Sequence, residues 1–228
     1  MRLLEENAKV VFAEISVLLA SRLFIACFLF LVFTYEVGMK ILEQKILTDG
    51  KILGGDILKV DNFLNHQMDV ALFNELGKDI YTHFKDCGVN KILTIEASGI
   101  GLACITAQFF NCNVLFAKKR KSLNISDDVY STKVYSFTKK TEYDVVVSKE
   151  YLGKDDKVLI IDDFLANGNA CLGLIDLVRK AGGEVVGVSC AVEKTYQGGY
   201  DKIAALGYDV YSLARIAEMK DGHIKFVE

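Results

Sequence analysis

The chain has 228 residues, of which 51% are hydrophobic and 25% are charged, and its formal net charge at pH 7 is −3. This length and composition are typical of one α/β domain with a complete core, with or without a short appendage. The weakly negative charge excludes a general affinity for nucleic acid or anionic membranes, so any basic site must be local.

Residues 1–38 differ in character from the rest of the chain. Ile15–Phe33 is a stretch of 19 residues in which Arg22 is the only charge, a length that could span a bilayer. A cleaved signal peptide fits poorly, because the positive end is weak and no small-residue cleavage site follows. Two alternatives remain: a membrane anchor, or translation that starts at Met39. We favour the second, because the pattern changes abruptly at Met39 to an ordinary amphipathic segment.

Apolar periodicity after Met39 predicts a short helix that ends at Asp49-Gly50. A strand-like entry and a turn follow over residues 57–69, where Asn65 is a candidate cap for the next helix. The predicted buried stripe of that helix comprises Met68, Leu72, Phe73, Leu76, Ile80 and Phe84.

A first strand–helix–strand unit is predicted after this helix. Its elements are a buried strand over 91–96, a tight turn, a helix over 102–110 and a strand over 113–119. The segment 118–142 is then polar and charged, with a loop tip expected at 124–128. A hairpin is predicted next, with strands over 144–149 and 157–162.

The stretch KVLIIDDFLANGNA begins a second such unit at Lys157. Four aliphatic residues lead directly into Asp162 and Asp163, and small residues then open a helix. The elements predicted from there are the helix 169–181, a buried strand over 184–194, a helix over 200–206, a strand over 208–216 and a hairpin over 218–227.

Strands that alternate with helices predict an α/β fold with a mostly parallel sheet covered on both faces. Ligands bind such sheets at the carboxyl ends of the strands. Two motifs fall at such ends, IEASG at 95–99 and IDDFLANG at 161–168. We therefore expect them to form one site.

Two neighbouring carboxylates at a strand end repel each other, so a positive charge or hydrogen-bond donors must offset the repulsion. As groups that only accept hydrogen bonds, they suit two donor hydroxyls, a hydrated metal, or both. The helix that follows can surround a phosphate with its first N–H groups, and its dipole favours the negative charge. This combination is typical of a ribose 5-phosphate site. An aspartate that caps the helix, followed by an ordinary turn, is the alternative.

The six cysteines and three histidines show no spacing typical of metal ligands, so a zinc site is not expected. Isolated thiols in a chain of this length fit a reducing compartment better than a disulfide framework. We therefore expect a cytoplasmic protein.

VLIIDDFLANG resembles the signature with which type I phosphoribosyltransferases bind 5-phosphoribosyl 1-pyrophosphate (PRPP). Other stretches resemble the xanthine-specific bacterial members of that family, and they are ILKVDNFLNHQ, IEASGI, FAKKRKSL, VYSFTKKTE, EKTYQ and LGYDVYSLARI. The resemblance implies a mostly parallel twisted sheet flanked by helices, with a small hood formed by the N- and C-terminal segments. It also implies a phosphoribosyltransferase domain over 39–228, preceded by an extension over 1–38.

The activity that the resemblance implies is purine salvage, in which PRPP and xanthine give xanthosine 5′-monophosphate and pyrophosphate with Mg²⁺. It further implies a homodimer, and for residues 39–228 neither nucleic acid nor membrane is expected as a partner. Three alternatives stay open. They are another base (guanine, hypoxanthine or adenine), a PRPP-sensing transcription regulator, and a membrane-anchored form of the same enzyme.

The resemblance also implies roles for individual residues. The catalytic pair would be Asp162 and Asp163, which would hold the ribose hydroxyls directly or through the metal. The PRPP-binding loop would comprise Ala166, Asn167, Gly168, Asn169 and Ala170. The pyrophosphate loop would comprise Glu96, Ala97, Ser98, Gly99 and Ile100. A flexible basic loop would contain Lys118, Lys119, Arg120 and Lys121. Xanthine would contact Leu58, Asn65 and Lys194.

The PRPP-binding loop departs from the wider family in one respect. Ala166, Asn169 and Ala170 stand where that family usually carries threonines. Hydroxyl contacts to the 5-phosphate are therefore lost, and we expect backbone N–H groups to replace them. This makes Gly168 a more informative position for mutation than any hydroxyl.

Overall fold

The computed structural model describes residues 41–54, 57–119, 128–136 and 141–227. The predicted extension over 1–38 lies outside these residues. Among the described residues, no helix is both long and apolar enough to cross a membrane.

The described chain begins with a small N-terminal segment. Residues 41–49 are helical (α1), and they are followed by strands β1 (Lys51–Leu53) and β2 (Ile57–Lys59), a π-helical turn (Asp61–Asn65) and helix α2 (Val70–Phe84). The remaining elements are β3 (Lys91–Ile95), α3 (Gly99–Phe110), β4 (Asn113–Lys119), β5 (Val129–Ser136), β6 (Thr141–Ser148), β7 (Lys157–Leu165), α4 (Asn169–Ala181), β8 (Glu184–Lys194), α5 (Gly199–Ala204), β9 (Asp209–Lys220) and β10 (His223–Phe226).

An eight-stranded sheet in the order β10-β9-β8-β7-β3-β4-β6-β5 lies at the centre of the described residues. The strands from β9 to β4 run parallel, whereas β10, β6 and β5 are antiparallel to their neighbours. The predicted α/β fold is therefore confirmed. The direction of strand order reverses between β7 and β3, because β4 lies on one side and β8 and β9 on the other. Open α/β sheets bind ligands at such a reversal.

Both predicted strand–helix–strand units are present. β3 and β4 are parallel neighbours joined by α3, and β7 and β8 are parallel neighbours joined by α4. The observed bounds of β4, α4 and β8 equal the predicted ones. Helix α4 ends where Gly182 adopts a left-handed conformation with φ of 77°, which glycine adopts without strain.

The start of α2 differs from the prediction. Asp69 caps the helix, because its side chain accepts a hydrogen bond from Leu72 N at 3.1 Å. The interpretation of Asn65 as the helix cap is therefore wrong; Asn65 ends the π-helical turn instead. The predicted stripe is buried except for Met68, which precedes the helix and is 39% exposed.

The hairpin predicted between 144–149 and 157–162 is wrong. β6 pairs with β4 and β5, while β7 lies between β3 and β8. The physical reason is burial: β7 is buried continuously from Val158 to Asp162. A strand buried on both faces belongs inside a parallel sheet. The true hairpin partner of β6 is β5, which lies within the segment predicted to be a polar loop.

The hood expected from the N- and C-terminal segments is present. One core cluster combines residues of α2 and α3 with Leu42 of α1, Leu58 of β2 and Phe63 of the π-helical turn. The same cluster contains Met219 of β9, and Phe226 of β10 packs against it. The two ends of the described chain therefore share one apolar core. A second cluster contains residues of β7, β8, α4 and α5.

Asp79 of α2 carries a buried carboxyl group. Its Oδ1 accepts a hydrogen bond from the Tyr211 hydroxyl at 3.0 Å, whereas Oδ2 has no hydrogen-bond partner within the described part of the chain. Burial raises the pKa of Asp79 to about 6, although the Tyr211 hydroxyl and the nearby His83 act in the opposite direction.

We expect Asp79→Asn to gain stability relative to the wild type as the pH rises. A carboxyl with a raised folded-state pKa binds its proton more tightly in the folded state, so the wild type loses stability from about pH 4 through pH 6. Between pH 4 and pH 7.5, the difference in free energy of unfolding should move by about 2 to 3 kcal/mol in favour of the variant. Urea unfolding at both pH values measures it.

The exposed Asp86, just after the same helix, supplies the control. Asp86→Asn should leave the pH dependence of stability unchanged. Parallel curves for the wild type and Asp79→Asn would contradict the cost assigned to the buried carboxyl.

Candidate active site

The site lies where β3 and β7 end side by side. The two strands are parallel and in register from Lys91 opposite Val158 to Leu93 opposite Ile160. The loops that follow them therefore emerge at the same edge of the sheet. A Cβ added to Gly99 would lie only 3.3 Å from Asp162 Oδ1. The structure thus brings the two predicted motifs into contact, as the parallel arrangement requires.

Asp162 and Asp163 occupy different environments. Asp162 is 5% exposed, whereas Asp163 is half-buried. Just before them in β7, Ile160 belongs to the core cluster that contains α4, and Ile161 belongs to the cluster that contains the hood residues. Asp163 Oδ2 instead lies 3.4 Å from Nδ2 of Asn65, which belongs to the hood. Successive residues of a strand point to opposite faces. The strand geometry therefore directs one carboxyl towards α4 and the other towards the hood.

The electrostatics of the pair follow from this difference. Burial raises the pKa of Asp162 well above its usual range, and the negative charge of Asp163 raises it further. Two groups offset part of this effect: Asp163 N donates to Asp162 Oδ1 at 2.9 Å, and the charge of Lys119 lies nearby. A proton on Asp162 removes the repulsion between the two carboxylates, so the pair needs a cation or donors only when both are ionised.

The predicted pyrophosphate loop connects β3 to α3. Glu96 Oε1 accepts a hydrogen bond from Lys119 N at 2.6 Å, and the peptide bond between Glu96 and Ala97 is cis. Ser98 precedes α3, but its hydroxyl makes no capping hydrogen bond to the helix. Ala97 is exposed, while Ser98 and Ile100 are half-buried. The Ser98 hydroxyl is therefore not used to cap α3, and Gly99 brings the loop against the end of β7.

Gly99 is the part of this loop that lies deepest. A Cβ at this position would overlap Oγ1 of Thr94 and would lie within van der Waals distance of Asp162. Thr94 is itself fully buried, and its hydroxyl has no hydrogen-bond partner in the described part of the chain. A larger residue at position 99 would have to move the loop away from Asp162.

The predicted PRPP-binding loop follows β7 and opens α4. Gly168 has a φ of 82°, and a Cβ there would lie 3.2 Å from Gly199 Cα, so both conformation and space favour glycine. Asn167 Oδ1 accepts a hydrogen bond from Asn169 N at 3.1 Å, which occupies one of the N–H groups expected to face a phosphate. The N–H group of Ala170 lies in the first helical turn, where helix geometry provides no backbone partner.

Two of the four residues predicted for the basic loop lie in a strand. Lys118 and Lys119 belong to β4, where they pair with Val146 and Val145 of β6, so their assignment to a flexible loop is wrong. Both lysines belong instead to the strand predicted over 113–119, despite the polar character of the segment that begins there. Arg120 and Lys121 lie outside the described residues. The strand holds the Lys119 Nζ 5.5 Å from the centre of the Tyr143 ring, close enough to Asp162 for its charge to act there.

The three predicted base-binding residues lie on different elements. Leu58 is 7% exposed in β2 and belongs to the same core cluster as Ile216. Lys194 is half-buried at the end of β8, opposite Ile216 of β9. Asn65 contacts Asp163. The hood therefore brings Asn65 to the end of β7, whereas Leu58 belongs to the core of the hood.

Three further residues contact this site and were not predicted from the sequence. Tyr135 O of β5 accepts a hydrogen bond from Asn169 Nδ2 at 3.2 Å, and Lys202 Nζ of α5 donates to Asn167 O at 2.9 Å. The third is Tyr143, whose pKa is raised by its burial and by the charge of Asp162. All three come from elements distant in sequence, and no local pattern marks them.

Comparison with known proteins supports one family. Residues 59–214 match the family described as Phosphoribosyl transferase domain. The chain is 54% identical over 190 residues to the xanthine phosphoribosyltransferase of Ruminiclostridium cellulolyticum, covering 83% of this chain and 100% of that protein. It is 50% identical over 190 residues to the xanthine phosphoribosyltransferase of Acinetobacter baumannii, with the same coverage of this chain.

A solved structure shares the fold. The adenine phosphoribosyltransferase of Rhodothermus marinus superposes with a TM-score of 0.63 over 78% of this chain and 98% of that one. The sequence identity is 22%, so this likeness concerns the architecture alone.

We expect Gly99→Ala to lower the free energy of unfolding by about 1 to 3 kcal/mol, the usual cost of overpacking a filled site. The added methyl would overlap the Thr94 hydroxyl. Thr94→Ala removes that hydroxyl, so the double variant should lose less stability than the sum of the two single variants. Urea unfolding of the four proteins measures the coupling. Additive losses would mean that the two residues do not share the space.

Proposed function

The chain belongs to the phosphoribosyltransferase family, and from this we propose that it transfers the 5-phosphoribosyl group of PRPP to xanthine. The products are xanthosine 5′-monophosphate and pyrophosphate, a step of purine salvage. The similarity to xanthine phosphoribosyltransferases along their whole length carries the proposal. The pair of loops at the reversal of strand order supports it, because PRPP presents two phosphate groups on opposite sides of one ribose. We assign the activity to residues 39–228.

The ribose lies, in this proposal, over the end of β7. Asp162 and Asp163 accept hydrogen bonds from its hydroxyls, which suits groups that can only accept when ionised. The 5-phosphate lies at the loop Ala166–Ala170, where backbone N–H groups and the dipole of α4 favour a negative charge. The leaving pyrophosphate lies at the loop Glu96–Ile100, within reach of the Ser98 hydroxyl.

The acid pair also suits Mg²⁺ that arrives with PRPP. Asp162 is buried beside a second carboxyl, so a cation would stabilise its ionised form. Magnesium prefers one or two carboxylates together with substrate phosphates and water. When bound, the ion would neutralise charge on the leaving pyrophosphate. The chain's own contribution there is Lys119, held by β4, with Arg120 and Lys121 as further candidates from the predicted loop.

The reaction passes through a transition state with positive charge at ribose C1, so the residues act mainly by position and charge. Carboxylates near the ribose stabilise that charge, and donors at the pyrophosphate loop stabilise the charge that leaves. Water must be kept away from the reactive centre. We assign this task to the hood and to the basic loop, which would close over PRPP.

Recognition of the base involves the hood and β8. Lys194 donates to the exocyclic 6-oxygen of the purine, and the Asn65 amide donates to the 2-oxygen that distinguishes xanthine from hypoxanthine. The amide has two hydrogens, so it can keep its contact with Asp163 while it binds the base. Leu58 supports the site by packing, since its side chain lies almost entirely in the core.

A cytoplasmic homodimer belongs to the same proposal. The described cysteines, Cys87, Cys104, Cys112, Cys171 and Cys190, are all free, which fits a reducing compartment. Burial raises the pKa of the Cys171 and Cys190 thiols, so these two remain protonated and unreactive.

A PRPP-dependent assay over xanthine, guanine, hypoxanthine and adenine tests the function. We expect the highest kcat/KM for xanthine, because Asn65 and Lys194 donate to both of its carbonyl oxygens. Turnover should require Mg²⁺ and should release pyrophosphate in equal amount to nucleotide. Absence of turnover with every base would refute the enzymatic function, and a preference for guanine would refute the assignment of the base.

The double variant Asp162→Asn with Asp163→Asn should lose at least about 100-fold in kcat while it remains folded. Amides fill the same space but cannot hold the ribose hydroxyls and cation as carboxylates do. Steady-state kinetics and circular dichroism measure the two properties. Asp155→Asn, at the exposed first aspartate of the pair that precedes the same strand, is the control and should retain full activity. Near-normal kcat in the double variant would remove both aspartates from the catalytic pair.

A further inference from the structure

The PRPP-binding loop rests on helix α5 from outside the site. Gly199 N donates a hydrogen bond to Ala166 O at 3.1 Å, and Lys202 Nζ donates to Asn167 O at 2.9 Å. Gly168 lies against Gly199 so closely that a Cβ on either glycine would meet the backbone of the other segment. Three consecutive loop residues are therefore in contact with one short helix.

Helix α5 contacts an ion pair whose carboxylate is buried and whose guanidinium is partly exposed. Glu193 is 1% exposed, and its Oε2 accepts a hydrogen bond from Arg215 Nε at 3.2 Å. The Arg215 guanidinium also lies 5.4 Å from the centre of the Tyr200 ring, in the first turn of α5. The backbone positions of Leu165, Glu193 and Arg215 are direct neighbours across β7, β8 and β9. The pair thus links α5 to the strand from which the loop emerges.

The energetics indicate that the Glu193–Arg215 pair positions α5 rather than adding to the stability of the fold. Glu193 Oε1 has no hydrogen-bond partner in the described part of the chain, although the atom is buried. A buried carboxylate with a single partner contributes little net stability, because desolvation offsets the attraction between the charges. Apolar residues at 193 and 215 would fill the space at lower cost, but they would not direct a planar guanidinium onto Tyr200.

The composition of the loop explains why such support matters. A loop with threonines can hold a phosphate through hydroxyls that adjust individually, whereas Ala166, Asn169 and Ala170 offer none. Phosphate binding by this loop depends on the direction of its backbone N–H groups, and any rotation of the peptide planes changes those directions. The Asn167 carbonyl fixed by Lys202 belongs to the peptide plane that carries the Gly168 N–H.

We propose that Lys202 is a positioning residue for PRPP: it fixes the Asn167–Gly168 peptide and thereby directs the loop N–H groups at the 5-phosphate. This inference rests on the proposed function. Lys202 acts through the loop and makes no contact with the purine, so its loss weakens binding of PRPP and leaves binding of xanthine unchanged. Its side chain is exposed, so its replacement does not endanger folding.

The test compares Lys202→Met, Lys202→Gln and Lys180→Met with the wild type. Lys202→Met keeps the length of the side chain but removes the donor, and we expect a rise in the KM for PRPP of about 10-fold. The KM for xanthine should stay within about twofold, and kcat should change little. Lys202→Gln restores a donor without the charge and should recover most of the loss.

Lys180 supplies the matched control, because its Nζ also donates to a backbone carbonyl, Ser131 O at 2.7 Å, but at the far end of α4. Lys180→Met should leave the KM for PRPP unchanged. If Lys202→Met behaves in the same way, the inference is wrong.

Two other results are also decisive. If Lys202→Gln is as impaired as Lys202→Met, the charge rather than the hydrogen bond acts on PRPP, and the positioning role is overturned. A wild type without turnover of any purine would instead refute the proposed function. In that case a thermal shift of each variant by PRPP with Mg²⁺ still tests the inference, because it measures binding without catalysis.

Discussion

The parallel pairing of β3 with β7 is the constraint on which the candidate site depends. These strands are separated by more than sixty residues, including β4 and the hairpin of β5 and β6, yet they are direct neighbours. After β3 the chain crosses to β4 on one side, and after β7 it crosses to β8 on the other side. Neither connection therefore covers the carboxyl ends of β3 and β7. Their two loops can therefore approach each other, and Gly99 permits contact with Asp162 without a side chain between them.

The alternation of side chains along β7 resolves the conflict between the two aspartates. Asp162 turns into a buried environment near α4, while Asp163 turns towards the hood and Asn65. The cost of this arrangement is a buried acid whose charged form is disfavoured in the absence of a cation or donors. A cation or donor hydroxyls would stabilise its charged form. The two neighbouring carboxyls thus differ in environment despite their identical chemistry.

Local sequence patterns predicted the parts of the fold in which local burial decides the structure. β4, α4 and β8 have the predicted bounds, because each is bounded by clear turn signals and has one apolar pattern. The hairpin before β7 was mispredicted since proximity in sequence favours local pairing, whereas β7 is buried on both faces and pairs with distant strands. For the site, the loop motifs are contiguous and could be recognised. Lys202 and Tyr135 reach the site through tertiary packing, which leaves no contiguous pattern.

The PRPP-binding loop lacks the threonines that are usual in the wider family, so contacts from neighbouring elements must hold its backbone in place. Two elements from outside the motif contact its backbone or its helix start: α5 through Gly199 and Lys202, and β5 through the hydrogen bond from Asn169 to Tyr135 O. Gly168 adopts its left-handed conformation directly against Gly199, where a Cβ on either residue would meet the backbone of the other segment. This close approach requires glycine at two positions that are 31 residues apart in sequence. In the proposed function, the unit that binds the 5-phosphate is therefore the loop together with α5, rather than the motif by itself.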